Sequence, residues 1–345
     1  MRRFVFVALV VCVMLVFCTG YGELEVHFID VGQGDAALIL CDGESMLIDG
    51  GSSESAEKVY SYIRNTVNHL DCIIATHPHK DHIDGIPSVL NAVPVDMILS
   101  PVKEWDSKSF KSIIKYANAQ GTQIVVPNEG DTIKIGGSTV EIVHCWPEAW
   151  VENDMSIVCR LDYGSTSILF MGDAEEMSEY MIMDSSYNIS SDVIKIAHHG
   201  SKYSSTKSFI KAVNPKYAVI SCGAGNEYAH PHQEVLDRLR GVTVLRTDLN
   251  GTIIVKSDGK EISVATEKTA TPESLLKAPA VIKRSVSVER MYEIRQYVLN
   301  CKTMKIHLPE CDSVKEISPQ NRMYYMGTLV ELINNGYDLC KKCFR

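Results

Sequence analysis

The chain has 345 residues, of which 43 are acidic and 34 basic, for a formal net charge of −9. That balance excludes a general electrostatic binder of nucleic acid, which needs a basic surface, but not a nuclease that grips phosphate through metal ions. A hydrophobic content of 45% provides core for one large domain and a small one.

In chain order, Arg2 and Arg3 precede an unbroken apolar run from Phe4 to Phe17. The run is short for a membrane span and has the layout of an export signal. Small residues follow in "CTGYG", where a signal peptidase can cut. Residues 1–22 therefore read as a signal peptide, with an uncleaved anchor or a lipid anchor at Cys18 as the alternative. A secreted or cell-surface protein is expected.

From residue 23 to 263, short β-rich runs alternate with amphipathic stretches. "LEVHFIDV" and "AALILC" read as strands joined by the turn "GQGD". "SMLIDGG" is a strand ending in turn glycines. "SAEKVYSYIRNTV" has helical spacing, with Ala56, Val59, Tyr60 and Ile63 on one face. "DCIIAT" is a buried strand, and "IVCRLDYGSTSILFMGD" a hairpin turned at Tyr163-Gly164. "DVIKIAHHG", "YAVISC" and "GTIIVKSDGKEISVA" are further strands, while "SSTKSFIKAVNP" and "HQEVLDRLR" read as helices. The class is α/β, with two strand series in a layered sandwich and helices outside. Residues 264–284, rich in Ala, Thr, Pro and Lys, read as a linker. In the tail, 285–345, "SVERMYEIRQYVLN" and "NRMYYMGTLVELINNG" read as helices. Of eleven cysteines, Cys41, Cys72, Cys145, Cys159 and Cys222 lie in strand-like segments as buried apolar residues.

The densest chemistry is "THPHKDHIDG", directly after a buried strand. His77 and His79 are two apart, so in extended backbone they point the same way and can take one metal. Asp81 and His82 follow at the next turn and can face a second. Imidazole and carboxylate suit zinc, manganese or iron.

The pattern H-x-H-x-D-H after an apolar strand resembles the signature of the metallo-β-lactamase superfamily, which implies an αββα sandwich and two divalent ions, zinc or manganese. The resemblance then implies that Asp49 in "LIDGG" braces the histidine loop and that Asp173 in "FMGD" bridges the ions. It makes His199 in "AHHGS" a ligand, with His198 contacting metal or substrate. The superfamily usually has a further histidine before the bridging aspartate. Here the candidates are His144 and the "NDMS" segment, Asn153 to Ser156, and the ligand stays unassigned. Within the superfamily, "FIDVGQGDAALI", "NDMSIVCRLDYGSTSILFMGD", "IKIAHHGS", "NPKYAVISCG", "NEYAHPHQEVLDRL" and "RTDLNGTI" occur in the order found in the extracellular domain of ComEC-type DNA-uptake proteins. That resemblance covers residues 23–263 and implies a free-standing, secreted phosphodiesterase or DNase, with DNA as substrate and the cell-surface uptake machinery as a candidate partner.

In such a mechanism Asp81 and Asp173 orient the attacking water. His230 and His232 protonate the leaving oxygen or contact phosphate, or else form a turn capping "QEVLDRLR". Ser201 and the backbone of "GSKYSS" can cradle phosphate. Arg246 and Asp248 reach the same mouth or fix a turn. In the tail, His307, Cys311, Cys340 and Cys343 make a tetrahedral zinc set, similar to the zinc-binding module of the Ada repair protein. A disulfide of Cys340 with Cys311 or Cys301 is the alternative. Lys302, Lys305, Lys341, Lys342 and Arg345 around it touch DNA or are simply solvated. Other functions compatible with the fold are a phosphorylcholine esterase, a lactonase, or a non-catalytic DNA-binding surface protein.

Overall fold

The computed structural model describes residues 22–278, 294–335, 337–340 and 342–344. All but the last residue of the expected signal, the end of the expected linker (279–284) and the start of the tail (285–293) lie outside them. Among the described residues, no helix is long and apolar enough to cross a membrane.

Two mixed sheets form the body. The first has eight strands in the order Ile262–Thr266, Ile253–Ser257, Leu24–Phe28, Ala37–Cys41, Glu44–Ile48, Leu70–Ile74, Val95–Leu99 and Gln123–Val125. The second has seven, Thr243–Arg246, Tyr217–Ile220, Val193–Lys195, Thr166–Phe170, Val158–Tyr163, Ser138–His144 and Thr132–Ile135. Strand period two decides which side chains meet between them. Leu24, Val26 and Phe28 point inward and join Ile142, Leu161, Ile168 and Phe170 in one core. His27, on the opposite face, bonds the Tyr62 hydroxyl at 2.7 Å on helix Ala56–Thr66. A second core lies under that helix together with Ile86–Ala92 and Lys108–Gln120. A third lies under Glu176–Asp184, Lys207–Val213 and Gln233–Arg238. The result is the αββα sandwich.

Helix Lys108–Gln120 lies in a stretch where the sequence reading placed no element. Its ends carry the usual punctuation: the Ser107 hydroxyl accepts from Phe110 N–H, and Gly121 closes it at φ 78°. The expected linker is shorter at its start than read. Strand Ile262–Thr266 runs past residue 264, and helix Pro272–Leu275 buries Leu275 against the third core.

The described tail is a four-stranded sheet, Arg322–Gly327, Arg295–Asn300, Lys305–His307 and Asp338–Leu339. Here two helix expectations need correction. Arg295–Asn300 is a central strand with Tyr297, Val298 and Leu299 fully buried. Arg322–Gly327 pairs along its whole length with it, and only Leu329–Asn334 is helical. Thr328 and Glu331 form a capping box at that junction, so the helix begins after the glycine rather than before it.

Two features place the chemistry. Glu44–Ile48 is parallel to Leu70–Ile74, and Thr166–Phe170, Val193–Lys195 and Tyr217–Ile220 are parallel to one another. Their carboxyl ends therefore open on loops in register, where ligand-binding residues of such sheets collect.

Candidate metal centre

Asp49 closes strand Glu44–Ile48 and is fully buried. One carboxylate oxygen accepts from Thr76 N–H and the other from Thr76 Oγ1, both at 2.8 Å, and the latter also meets His82 Nδ1 at 2.7 Å. Burial pushes Asp49 up, against the pull of His82. Asp49 thus contacts both Thr76 and His82 of the histidine loop. With Nδ1 engaged, His82 turns Nε2 toward Asp173 Oδ1, 3.2 Å away.

His77, His79 and Asp173 bring their ligand atoms within 4.8 Å of one another. Thr76 Oγ1 sits 3.1 Å from His77 Nδ1 and Ser156 Oγ 3.4 Å. His77 Nε2 faces Asp173 Oδ2 at 3.8 Å. His79 Nε2 meets the Glu152 carboxylate at 2.7 Å. Ser156 Oγ also accepts from Asp173 N–H at 3.0 Å. No further histidine joins this face among the described residues. His144 is buried and pairs with Glu129 at 2.9 Å, and it belongs to none of the clusters. Asn153 donates to Glu175 at 2.8 Å and lies 3.3 Å from His198 Nδ1.

The opposite face gathers His82, His199 and Asp173, with Asp35 in the same 4.8 Å group. His199 Nε2 lies 3.1 Å from Asp81 Oδ2 and 3.5 Å from Asp173 Oδ2. His198 and His199 both hold left-handed backbone, φ 48° and 53°, a conformation that non-glycine residues rarely adopt. His198 sets Nδ1 against Glu175 at 3.1 Å and faces Asp173 Oδ2 at 3.9 Å with Nε2.

Other expected site residues behave differently. His230 is buried, with its ring centroid 5.4 Å from that of His198 and 4.9 Å from that of His232. Burial, then the neighbouring His198 and His199, holds it well below the usual histidine range. His232 Nδ1 accepts from Lys202 N–H at 3.1 Å, and burial lowers it too. Both are neutral near pH 7 and so are poor proton donors there. Arg246 and Asp248 form a buried two-point pair at 3.0 and 2.6 Å. Arg246 also donates to the Lys277 carbonyl at 2.7 Å, so the pair ties down a chain segment rather than presenting charge at the mouth. Ser201 is buried, and its hydroxyl accepts from Tyr203 N–H at 3.5 Å.

The donor set fits divalent ions. His77 Nε2, His82 Nε2 and Asp173 Oδ1 are buried without a hydrogen-bond partner. Two imidazole nitrogens turned toward a buried carboxylate, with one of its own oxygens also unbonded, are costly unless something binds them. The charges are arranged to match. Burial alone would lower His82 and His199, but Asp173 with Asp49 raises the first well above its usual value, and Asp173 with Asp35 raises the second to about 10. Burial opposes the ionised form of Asp173, yet His82 and His199 hold it well below the carboxylate range. For Asp81, whose side chain is 32% exposed, the hydrogen bond from His199, then His82, outweighs burial in the same direction.

Asp35, Lys195, Thr76, Glu152 and Glu175 carry contacts that the sequence reading missed. The available signals were the aspartate closing "GQGD" and a lysine inside an otherwise apolar strand.

In the tail, His307, Cys311, Cys340 and Cys343 also bring their ligand atoms within 4.8 Å, with His307 Nδ1 3.6 Å from Cys311 Sγ. All four cysteines of the tail are free thiols, and exposed Cys301 lies outside the group. Burial opposes the Cys340 thiolate, but the N–H groups of Lys342 and Cys343 outweigh it and lower that thiol.

The family model described as "Metallo-beta-lactamase superfamily" matches residues 29–224. ComE operon protein 3 of Bacillus subtilis is 32% identical over 253 residues, 67% of this chain and 33% of that protein. Recombination protein 2 of Haemophilus influenzae is 30% identical over 225 residues, 62% of this chain and 26% of that protein. The chain thus spans a third or less of the length of these curated relatives. The solved metallo-beta-lactamase fold protein YhfI of Bacillus subtilis aligns at a TM-score of 0.48 and 14% identity, over 68% of this chain and 99% of that one.

Proposed function

Because this chain belongs to the metallo-β-lactamase superfamily, we propose that it is a secreted or cell-surface phosphodiesterase that cleaves DNA. The observation that carries the reading is the convergence of the unpartnered His77 Nε2, His82 Nε2 and Asp173 Oδ1 in one buried cleft. His77, His79 and Asp173 would hold one divalent ion, and Asp81, His82, His199 and Asp173 the other, zinc or manganese. Such ions supply Lewis-acid charge and acidify water. Ser156 and Asp49 fix the orientation of Asp173 and His82 through the contacts described. Asp81, the most open carboxylate of the set, orients the attacking water. His198, 22% exposed and held by Glu175, is better placed than His232 to hand a proton to the leaving oxygen. The names of two relatives, ComE operon protein 3 and Recombination protein 2, support DNA as the substrate class. A role in DNA uptake beside other surface proteins is in keeping with those names.

We also propose that His307, Cys311, Cys340 and Cys343 hold a structural zinc ion, because a small core such as the tail's is seldom stable without a staple.

The test incubates purified protein and its Asp173→Ala variant with labelled single- and double-stranded DNA and with Mn²⁺, Zn²⁺ or Mg²⁺. Metal-dependent cleavage lost in the variant supports the reading. Folded, metal-loaded protein that leaves both DNAs intact rejects it, and phosphorylcholine and lactone esters become the substrates to try.

A further inference from the structure

Asp35 stands within ligand distance of the second ion's residues, yet its surroundings argue for a different job. His199 presents its two ring nitrogens to different partners. Nε2 faces Asp81 and Asp173. Nδ1 faces the Ser221 carbonyl at 3.0 Å and Asp35 Oδ1 at 3.2 Å. The Ser221 carbonyl accepts from Nδ1 and the Asp35 carboxylate adds negative charge beside it, which together keep the proton there and leave the Nε2 lone pair for an ion. An oxygen beside Nδ1 lies on the far side of the ring from an ion at Nε2.

The other Asp35 oxygen is held by Lys195 Nζ at 2.6 Å, and both side chains are buried. Lys195 also donates to the Ile196 carbonyl at 2.9 Å. The Asp35 backbone completes the frame, with its N–H donating to the Asp81 carbonyl at 3.1 Å and its carbonyl accepting from Gly51 N–H at 2.8 Å. This close approach needs glycine at 34. A Cβ there would sit 2.2 Å from the Asp81 oxygen, at a φ of +135°. One residue thus touches the loops that carry Asp81 and His199, and a buried lysine fixes it.

We propose that the Lys195–Asp35 pair is a positioning device that sets the ring and tautomer of His199 for the second ion, and that Asp35 is not itself a ligand. The proposal rests on the two-ion reading of the centre and not on the identity of the substrate. It makes "GQGD" part of the metal centre although it donates no metal bond. It also explains a lysine in a strand whose neighbours Val193 and Ile194 are wholly apolar.

The test loads the full chain with Co²⁺ and follows ions bound per chain and the visible spectrum, for Asp35→Asn, Asp35→Ala and Lys195→Met. Asparagine can still accept from Nδ1–H. Asp35→Asn is therefore expected to bind two ions at the tail-corrected count, with the wild-type spectrum and affinity for one ion weakened about 10-fold. Asp35→Ala and Lys195→Met are expected to weaken that ion further, toward about 100-fold, the range for partners that orient metal-binding histidines, while the His77–His79 ion is retained. An Asp35→Asn protein that loses one ion outright, as Asp35→Ala would if Asp35 were a ligand, overturns the proposal. So does wild-type affinity in all three variants. A wild-type protein that takes no second ion at the main centre overturns the two-ion reading and the proposal together. Failure to cleave DNA by a two-ion protein rejects only the substrate.

Discussion

At the scale of single residues, the centre works by giving each buried histidine a fixed back and a free front. Asp49 supplies the back for His82. Replacing it with alanine leaves Thr76 N–H and His82 Nδ1 unsatisfied. Asp49→Ala is expected to weaken ion binding by about 10- to 100-fold, read by competition with a chelator. Protonation gives a second expectation. In the metal-free protein His199 has its pKa raised from 6.5 to about 10. A raised histidine contributes stability that is complete below its unfolded pKa and is lost as pH rises through the folded one. The thermal midpoint of the metal-free protein should therefore fall between pH 6.5 and 10, and the loaded protein, whose histidines are already deprotonated, should not show that fall. Equal slopes for the two forms would reject the assignment of His199 as a ligand.

At this scale the sequence was informative where residues cluster. His77, His79, Asp81, His82, Asp173 and His199 stand in short motifs, and the structure brings them together. Asp35 and Lys195 were invisible because their partnership spans 160 positions of chain and each motif alone is bland. For Arg246 and Asp248 two roles stood open, charge at the mouth or a pair fixing a turn; they form a buried pair, and Arg246 donates to the Lys277 carbonyl.

At the scale of elements, the loop after His199 depends on a neighbouring helix. Glu179, on Glu176–Asp184, accepts from Ser205 N–H, and from Thr206 N–H and hydroxyl at 2.9 and 2.7 Å. Burial pushes its pKa up to about 7. A raised carboxyl makes the folded state lose stability as pH rises from its usual value of 4.5 through about 7. Glu179→Ala removes three acceptor contacts and is expected to destabilise by about 1–3 kcal/mol in urea titration, with faster proteolysis across 201–206. Gly85 provides a packing test. A Cβ there would lie 1.9 Å from the Gly50 carbonyl oxygen, so Gly85→Ala should cost about 1–3 kcal/mol by overpacking.

The strands read from the sequence were legible because both faces are apolar or alternate cleanly, and the helices Ala56–Thr66 and Lys207–Val213 kept their period; the strands Val95–Leu99, Gln123–Val125, Thr132–Ile135 and Ser138–His144 went unread. The tail was misread because "QYVL" and "MYYM" carry apolar residues without a decisive period. Pairing with neighbours made them strands, a tertiary effect that local sequence does not contain.

At the scale of the whole molecule, the acidic chain predicts how DNA would be held as the proposed substrate. If metal ions and not lysines grip the phosphates, affinity should depend weakly on salt. A log–log slope shallower than about −3 is expected, where a protein neutralising many phosphates gives steeper values. A steep slope would move the binding surface to the basic tail. For the tail itself, Cys340→Ser should abolish retention of its zinc and open residues 294–344 to proteases while the main domain stays intact.

The two halves of the ion cleft come from different sheets. His77, His79, Asp81 and His82 follow a strand of the eight-stranded sheet, and Asp173 and His199 follow strands of the seven-stranded one. A cation seated between them is also a clasp. It joins two sheets that are otherwise held face to face by greasy contacts and a few polar links such as Lys195–Asp35, and it can close only after the chain has been made past residue 199. The ion would thus be a late stamp on a finished fold, making the protein rigid and competent in one event.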